Sequence, residues 1–248
     1  MSSEQHFLDN NYPDCLVVIP AWNEADSIDA IVRSIKEKFA IDVLVVDDGS
    51  SDNSADLAKN AGAEVIQLAM NMGAWAATQT GFRYALSKGY NSVVTMDADG
   101  QHFAESIPDL MENLITRQVD VVIGSNPGRA TKNRQISWSF FRLLTSFEIQ
   151  DFTSGLKAYN QHAMELLLHR RAYLFDYQDL GTLLLMRRYG LKIGEVPVPM
   201  QKRQYGHSRI FSNWWQVFRY MILSTILCVS KYRNYKVLSG ETDNDTIL

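Results

Sequence analysis

The chain has 248 residues, a formal net charge of −4 and 46% hydrophobic residues. This length and composition allow a sizeable core in one or two domains and exclude global disorder. The two cysteines, Cys15 and Cys228, cannot form a disulfide scaffold and fit a reducing compartment. Residues 1–14 are polar and acidic, unlike a signal peptide, and no long uncharged apolar stretch predicts a membrane-spanning helix.

Apolar runs alternate with segments of helical periodicity, which predicts an α/β fold with a mainly parallel sheet flanked by helices. Residues 16–19 and 43–46 are apolar at every position, as in strands that are covered on both faces. The predicted strands are 15–19, 43–47, 64–68, 92–97 and 120–124. The predicted helices are 24–39, 54–61, 74–88, 104–117, 136–149, 161–169, 178–189 and 213–230.

The same patterns divide the chain into four parts. Residues 1–13 form a polar arm, and residues 14–212 form the main α/β domain. Residues 213–236 are expected to form an amphipathic helix that packs on the domain or on a membrane surface, and residues 237–248 are expected to form a mobile acidic tail.

Positive charge is concentrated in two segments that contain no acidic residue. Residues 125–147 and 200–236 together carry 11 of the 24 lysines and arginines. This distribution favours a local positive surface that faces an anion, although two solvated faces would give the same pattern. Nucleic acid is not expected as the partner, because no binding motif is present and the pI is about 5.7.

Three predicted strands end in polar, acidic residues. In an open α/β sheet, ligands bind beyond the carboxyl ends of the strands. The three ends lie at residues 20–24, 47–50 and 97–102. Each alone could be an ordinary turn, because Asp, Asn, Gly and Ser are common there. Together they favour one shared ligand site.

The third strand end contains the pair Asp97-x-Asp99. Side chains two residues apart at a strand end can converge on one point, and two close carboxylates repel each other unless a cation neutralises them. Mg²⁺ or Mn²⁺ prefers such oxygen ligands and bridges substrate phosphates. Gln101, two residues further on, can add a carbonyl oxygen. The pattern predicts a metal site that neutralises a diphosphate leaving group, with a plain turn as the alternative.

Several other functional classes are excluded by their missing motifs. The chain has neither a phosphate-binding loop of the Gly-x-x-x-x-Gly-Lys type nor a Gly-x-Gly-x-x-Gly dinucleotide motif after the first strand. It also has no cluster of Cys and His with zinc spacing.

Residues 18–24 (VIPAWNE), 45–50 (VVDDGS) and 96–102 (MDADGQH) resemble the motifs of family-2 glycosyltransferases, which have a GT-A fold. The closer resemblance is to polyprenyl-phosphate hexosyltransferases of the dolichyl-phosphate mannose synthase type. It also rests on residues 151–157 (DFTSGLK), 195–197 (EVP) and 203–209 (RQYGHSR), and it extends from residue 15 to residue 212.

The resemblance implies a donor nucleotide-diphosphate sugar, either GDP-mannose or a UDP-hexose, and a Mg²⁺ or Mn²⁺ cofactor. The implied metal ligands are Asp97, Asp99 and Gln101. The implied donor-binding residues are Pro20, Trp22, Glu24, Val46, Asp48, Asp97, Ala98, Arg203 and Arg209. The residues implied in catalysis are Asp99 and Arg203, with Asp179 as a general base if the acceptor is a sugar hydroxyl.

The resemblance also implies a polyprenyl phosphate acceptor. Arg142 and Ser146 are four residues apart on a predicted helix, so they share a face and could hold one phosphate; a surface arginine and a helical serine are the alternative. Asn126 stands where the family usually has an arginine, and Arg129 or Arg134 could replace that cation. Arg209 stands in place of the family's usual lysine and keeps its charge.

The acceptor determines the mechanism. A phosphate monoester is already an anion near neutral pH and can attack the anomeric carbon without a base. A single displacement with inversion follows by analogy with the family. A sugar hydroxyl would need a general base, for which Asp179 is the first candidate and His102 the second. A catalytically silent nucleotide-sugar-binding subunit is a third hypothesis.

Residues 213–236 combine an apolar stripe with tryptophans, tyrosines and basic residues, a pattern typical of membrane interfaces. Residues 136–147 form a second amphipathic segment. Together they predict peripheral attachment to the cytoplasmic face of a membrane. The alternative is that both stripes pack on the domain core or on a second copy of the chain in a homo-oligomer.

Overall fold

The computed structural model describes residues 11–129, 139, 142, 149–151, 153–168 and 178–201. Within these ranges the chain forms a mostly parallel sheet of seven strands, with helices on its faces. The strands are β1 (Asn11–Ala21), β2 (Ala40–Asp47), β3 (Glu64–Gln67), β4 (Ser92–Thr95), β5 (Val121–Ser125), β6 (Lys157–Asn160) and β7 (Ile193–Pro197). The helices are α1 (Ile28–Lys38), α2 (Ser54–Asn60), α3 (Ala74–Lys88), α4 (Ile107–Thr116), α5 (Gln161–Leu167) and α6 (Gln178–Arg188).

The sheet order is β3-β2-β1-β4-β6-β5-β7. Strand β1 is paired in parallel with both β2 and β4, and β5 with β7. Strand β6 is antiparallel to both of its neighbours, β4 and β5. The predicted α/β class and mainly parallel sheet are confirmed. Neither β6 nor β7 was predicted.

The alternation of side chains along the central strands divides the core into two apolar layers. On β1, Val17 and Ile19 belong to the layer that includes the buried faces of α1 and α4. Leu16 and Val18 belong to the opposite layer, which includes buried residues of α3, α5 and α6. Because successive side chains of a strand point to opposite faces, a strand that is apolar throughout is buried on both.

Two predicted helices lie wholly or mostly outside the described residues. Of the segment 136–149, Ser139 and Arg142 are helical, whereas Ile149 is not. The segment 213–230, the proposed tail and residues 1–10 of the proposed arm are not described, whereas residues 11–13 of that arm belong to β1. In the ranges given above, every helix is too short or too polar to cross a membrane.

The strand order places the three acidic strand ends side by side. β1 lies between β2 and β4, and the chain leaves β1 for β2 on one side and returns to β4 on the other. Their carboxyl ends meet at one edge, at the point where the strand order reverses. Ligands bind at such a point in open α/β sheets.

Candidate functional site

The loops that follow β1 and β2 are hydrogen-bonded to each other. The backbone N–H of Asn23 donates to Oγ of Ser50 at 2.9 Å, and the N–H of Ser51 donates to Oδ1 of Asn23 at 2.8 Å. The N–H of Glu24 donates to Oγ of Ser54 at 2.8 Å. Asn23 adopts a left-handed backbone with φ of 53°, which asparagine tolerates better than most residues. The first two strand ends therefore form one connected unit.

The carboxylate of Asp52 joins the same unit. One oxygen accepts hydrogen bonds from the N–H and the hydroxyl of Ser54, and the other accepts from the N–H of Ala25 at 3.2 Å. Burial alone would raise the pKa of Asp52, but the hydrogen bonds from Ser54 and Ala25 outweigh it and lower the pKa below its ordinary value. Asp52 therefore stays ionised and stabilises both loops.

Asp48, at the end of β2, is buried with 2% of its surface exposed. Its two carboxylate oxygens accept hydrogen bonds from the N–H groups of Met72 and Gly73, at 2.7 and 2.8 Å. The side chain thus fixes the loop that leads into α3. Its predicted contact with the donor nucleotide stays a prediction.

The loop after β4 is connected to its neighbours on both sides. Oγ of Ser27 donates to the carbonyl of Ala98 at 2.5 Å. The carboxylate of Asp99 accepts from the N–H of Gln101 at 3.1 Å. The N–H of Gln201 donates to the carbonyl of Gln101 at 3.0 Å, and the amide of Gln101 donates to the carbonyl of Gln201 at 3.4 Å. These bonds hold the predicted metal-binding loop in one shape.

Asp97 lies between a glycine and a histidine. A Cβ added to Gly155 would lie 2.1 Å from Cγ of Asp97, so the carboxyl group packs directly on the glycine. Nε2 of His102 lies 3.6 Å from Oδ2 of Asp97. The side chain of Asp97 is nevertheless 44% exposed, while that of His102 is 1% exposed. The Asp97 carboxylate is thus positioned on two sides and accessible from outside.

Two further carboxylates support the segment that carries Gly155. The carboxylate of Glu195 accepts from the N–H groups of Gln150 and Asp151, the latter at 3.0 Å. The fully buried Asp151 accepts from the N–H of Thr153 at 3.0 Å and from the N–H of Asn126 at 3.5 Å. Glu195 and Asp151 therefore connect β7, the end of β5 and the segment behind Asp97.

The structure brings many of the predicted donor and metal residues to one edge. Pro20, Trp22 and Glu24 are half-buried around the end of β1, and Asp97, Asp99 and Gln101 are half-buried on the loop after β4. Val46 differs, because its side chain is fully buried in the apolar layer with α3, and its predicted contact with the donor nucleotide stays a prediction.

Most of the predicted acceptor-phosphate residues, together with Arg203, Arg209 and Asp179, have side chains that the structure does not describe. Arg203, Arg209 and Ser146 lie outside the described residues. Asp179 is in the first turn of α6 and Arg129 is in a short 3₁₀ turn at Pro127–Arg129, but their side chains are not described. Arg142 is helical, and its Nη2 donates to Oγ of Ser139 at 3.1 Å.

Sequence reasoning missed the polar side chains that hold the site together. Asn23 is exposed, Ser50 is half-buried and Ser54 is buried. All three form hydrogen bonds between the loops, and none of them was assigned a role. A signal was available, because Asn, Ser and Asp at strand ends commonly hydrogen-bond to nearby backbone groups. Gly155 gave no such signal, because its packing partner is distant in the sequence.

A family model described as glycosyl transferase family 2 matches residues 16–175. The chain belongs to this family. It is therefore a glycosyltransferase, and its sheet with the acidic loop after β4 is the GT-A type of fold. The predicted family and fold are confirmed.

Two curated relatives act on lipid phosphates, according to their names. An undecaprenyl-phosphate mannosyltransferase of Micrococcus luteus is 32% identical over 79% of this chain and 86% of its own. A polyprenol monophosphomannose synthase of Mycolicibacterium smegmatis is 30% identical over 79% of this chain and 80% of its own. The transferase thus resembles enzymes that glycosylate polyprenyl phosphates.

The solved structures that resemble this transferase include glucosyl-3-phosphoglycerate synthase from Mycobacterium tuberculosis. Its complex with phosphoglyceric acid has a TM-score of 0.70 and 21% identity, covering 87% of this chain and 80% of that chain. Its complex with Mn²⁺, UDP-glucose and phosphoglyceric acid has a TM-score of 0.68 and 20% identity, covering 87% and 79%. At this level of identity the likeness is one of fold.

Proposed function

We propose that this glycosyltransferase moves a hexose, with mannose or glucose favoured, from a nucleoside diphosphate sugar to a polyprenyl phosphate. The observation that carries the proposal is the loop after β4. It presents the half-exposed carboxylate of Asp97, with Asp99 and Gln101, at the edge where β1, β2 and β4 end. The names of the lipid-phosphate relatives support the acceptor class.

The chemistry of these residues fits a divalent cation. Two carboxylates and an amide are the hard oxygen donors that Mg²⁺ and Mn²⁺ prefer, and such ions take further ligands from substrate phosphates and water. In the described part of the chain, no group of three or more His, Cys, Asp or Glu side chains is placed to hold a metal. Among the described residues, Asp97, Asp99 and Gln101 would supply part of the coordination shell. When bound, the cation would neutralise charge on the departing nucleoside diphosphate.

The donor nucleotide would lie over the connected loops after β1 and β2. Trp22 is half-buried there and offers a flat face for a base, next to Pro20 and Glu24. The hydrogen bonds that join Asn23 to Ser50 and Ser51 hold this surface in place before the donor arrives. A surface that is already ordered loses less conformational entropy on binding.

The acceptor phosphate would be held by arginines. A guanidinium group binds phosphate oxygens through two parallel hydrogen bonds. Arg142, Ser146 and Arg129 are the proposed ligands for the acceptor phosphate, whereas Arg203 and Arg209 are the proposed arginine ligands for the donor diphosphate. A phosphate monoester needs no general base, so positioning and charge neutralisation would account for catalysis, by a single displacement with inversion.

A polyprenyl phosphate acceptor requires access to a membrane surface. We propose that residues 213–236, which combine apolar, aromatic and basic side chains, attach the enzyme peripherally to the cytoplasmic face of a membrane. Flotation with anionic liposomes tests this proposal. Enzyme that stays entirely in the soluble fraction would count against attachment.

The transfer reaction is tested directly with purified enzyme, Mn²⁺, undecaprenyl phosphate and radiolabelled GDP-mannose or UDP-glucose. The proposal predicts a labelled lipid product that disappears with EDTA and with Asp99→Asn. Donor binding without turnover on any lipid phosphate would instead favour a silent nucleotide-sugar-binding subunit. Transfer only to a glycan hydroxyl would contradict the proposed acceptor.

A further inference from the structure

The imidazole of His102 is buried beside the Asp97 carboxylate without a hydrogen bond. Its side chain is 1% exposed, and neither ring nitrogen has a hydrogen-bond partner among the described residues. Its Nε2 lies 3.6 Å from Oδ2 of Asp97, beyond the ~2.7–3.2 Å of an N–H···O hydrogen bond. A buried polar group without a partner destabilises the folded protein. An apolar side chain of similar size would not carry this cost.

The backbone around His102 is held by pairing with the segment that follows β7. His102 forms an isolated antiparallel bridge with Met200, and the N–H of Gln201 donates to the carbonyl of Gln101 at 3.0 Å. Asp97 is half-exposed, and its carboxyl group packs on Gly155. The distance between Nε2 and Oδ2 exceeds the upper limit of an N–H···O hydrogen bond by only about 0.4 Å, so a small shift of either side chain brings them together.

We propose that His102 is a positioning residue that orients Asp97 for the divalent cation. Through Nε2–H it donates to one oxygen of the carboxylate and leaves the other for the metal. Partners that orient a ligand in this way typically change metal affinity by about 10- to 100-fold when they are mutated. This inference rests on the proposed function, because it requires that Asp97 binds a metal with a nucleoside diphosphate.

Three variants separate positioning from a structural role. His102→Leu removes both ring nitrogens and keeps an apolar side chain of similar size. His102→Gln places an amide N–H near the position of Nε2. Ser106→Ala is the matched control, because Ser106 is also buried and its hydroxyl has no hydrogen-bond partner among the described residues. Ser106 ends the short 3₁₀ turn Ala104–Ser106 before α4 and has no place in the proposed site.

Calorimetry gives the affinity of UDP and of GDP for each protein, once with saturating Mn²⁺ and once with EDTA. For the wild-type enzyme we expect tighter binding of at least one nucleotide with Mn²⁺. In His102→Leu, the affinity measured with Mn²⁺ is expected to fall about 10- to 100-fold, whereas the affinity measured with EDTA is expected to change little. His102→Gln is expected to keep most of the gain, and Ser106→Ala to keep all of it. Without metal, the melting temperature of His102→Leu is expected to equal or exceed that of the wild-type enzyme.

The outcomes distinguish the two proposals. If the wild-type enzyme shows no gain with Mn²⁺ for either nucleotide, the proposed function fails and this inference fails with it. If the wild-type shows the gain and His102→Leu keeps it, only the role of His102 is overturned. A fall in affinity that is equal with Mn²⁺ and with EDTA, or a large loss of thermal stability in His102→Leu, would assign His102 a structural role and also overturn the inference.

Discussion

The carboxyl group of Asp97 packs on the backbone of Gly155, across 58 residues of sequence. A Cβ at position 155 would lie 2.1 Å from Cγ and from both carboxylate oxygens of Asp97. Gly155 belongs to a segment whose start is held by Glu195 and whose Asp151 is fully buried. The conformation of this segment therefore determines where one of the proposed metal ligands can lie.

Gly155→Ala is expected to displace Asp97 rather than to unfold the protein. The side chain of Asp97 is half-exposed, so it can turn towards solvent and away from a new methyl group. We expect the Mn²⁺-dependent gain in nucleotide affinity to be lost, with a melting temperature within a few degrees of the wild type, as measured by calorimetry and thermal unfolding. Gly194→Ala is the control, because a Cβ there makes only an ordinary contact of 3.5 Å with Val119. Equal metal-dependent binding by both variants would contradict the proposed role of this contact.

Asp48→Asn is expected to destabilise the protein by about 1–3 kcal/mol. Each carboxylate oxygen of Asp48 accepts a hydrogen bond from a backbone N–H group, and an asparagine has only one side-chain oxygen that can accept. Chemical denaturation measures the change in the free energy of unfolding. Asp42→Asn is the matched control, because Asp42 is exposed on the same strand and an asparagine oxygen can still accept from the hydroxyl of Tyr90. We expect the control to change stability by about 0.5 kcal/mol or less. An Asp48→Asn variant as stable as this control would show that the Met72–Gly73 loop needs no anionic acceptor.

Cys15 makes stability depend on pH in the alkaline range. Burial raises the pKa of its thiol from 9.0 to about 12. Below pH ~8 the thiol is neutral in both states, and between about 9 and 12 only the unfolded chain releases the proton, so the free energy of unfolding falls as pH rises. We expect denaturation curves to show a larger loss for the wild type than for Cys15→Ala between pH 8 and pH 10.5. Tyrosines that titrate in this range affect both proteins equally, so the difference between the two pH profiles reports on Cys15. Parallel profiles for the two proteins would contradict this prediction.

Asp179→Ala distinguishes the two acceptor classes. A phosphate acceptor attacks as an anion, so removing this carboxylate is expected to leave most of the transfer to undecaprenyl phosphate intact. A hydroxyl acceptor needs a general base, and its loss typically costs about 10²- to 10⁴-fold in rate. The measurement is the turnover number with saturating donor, Mn²⁺ and lipid phosphate. A loss of that size would contradict the prediction that the phosphate acceptor needs no general base, whereas retained turnover would disfavour the hydroxyl acceptor.

The sequence was most informative where apolar patterns are strong. The central strands β1, β2 and β4 and the helix Ala74–Lys88 were predicted from apolar runs and periodicity. The family was predicted from three short motifs, which lie together because their strands are neighbours in the sheet. The roles of individual residues in donor, acceptor and metal binding remain predictions.

The elements that were missed depend on contacts between distant residues. β6 contains Lys157, which is buried in the sheet although lysine usually marks a surface, and β7 contains Gly194 and Pro197, which usually weaken a strand. The first helix begins at Ile28 rather than Glu24, because the residues between form the turn that is hydrogen-bonded to the loop after β2. Periodicity along the chain does not report such pairings.

The most direct measurement is a calorimetric titration of GDP and UDP into the wild-type enzyme and into Asp97→Asn and Asp99→Asn, with Mn²⁺ and with EDTA. We expect one nucleotide to bind the wild type more tightly with Mn²⁺, and both variants to lose that gain while they keep the weaker metal-independent binding. Wild-type affinity that is the same with Mn²⁺ and with EDTA would contradict the proposed metal-dependent transfer.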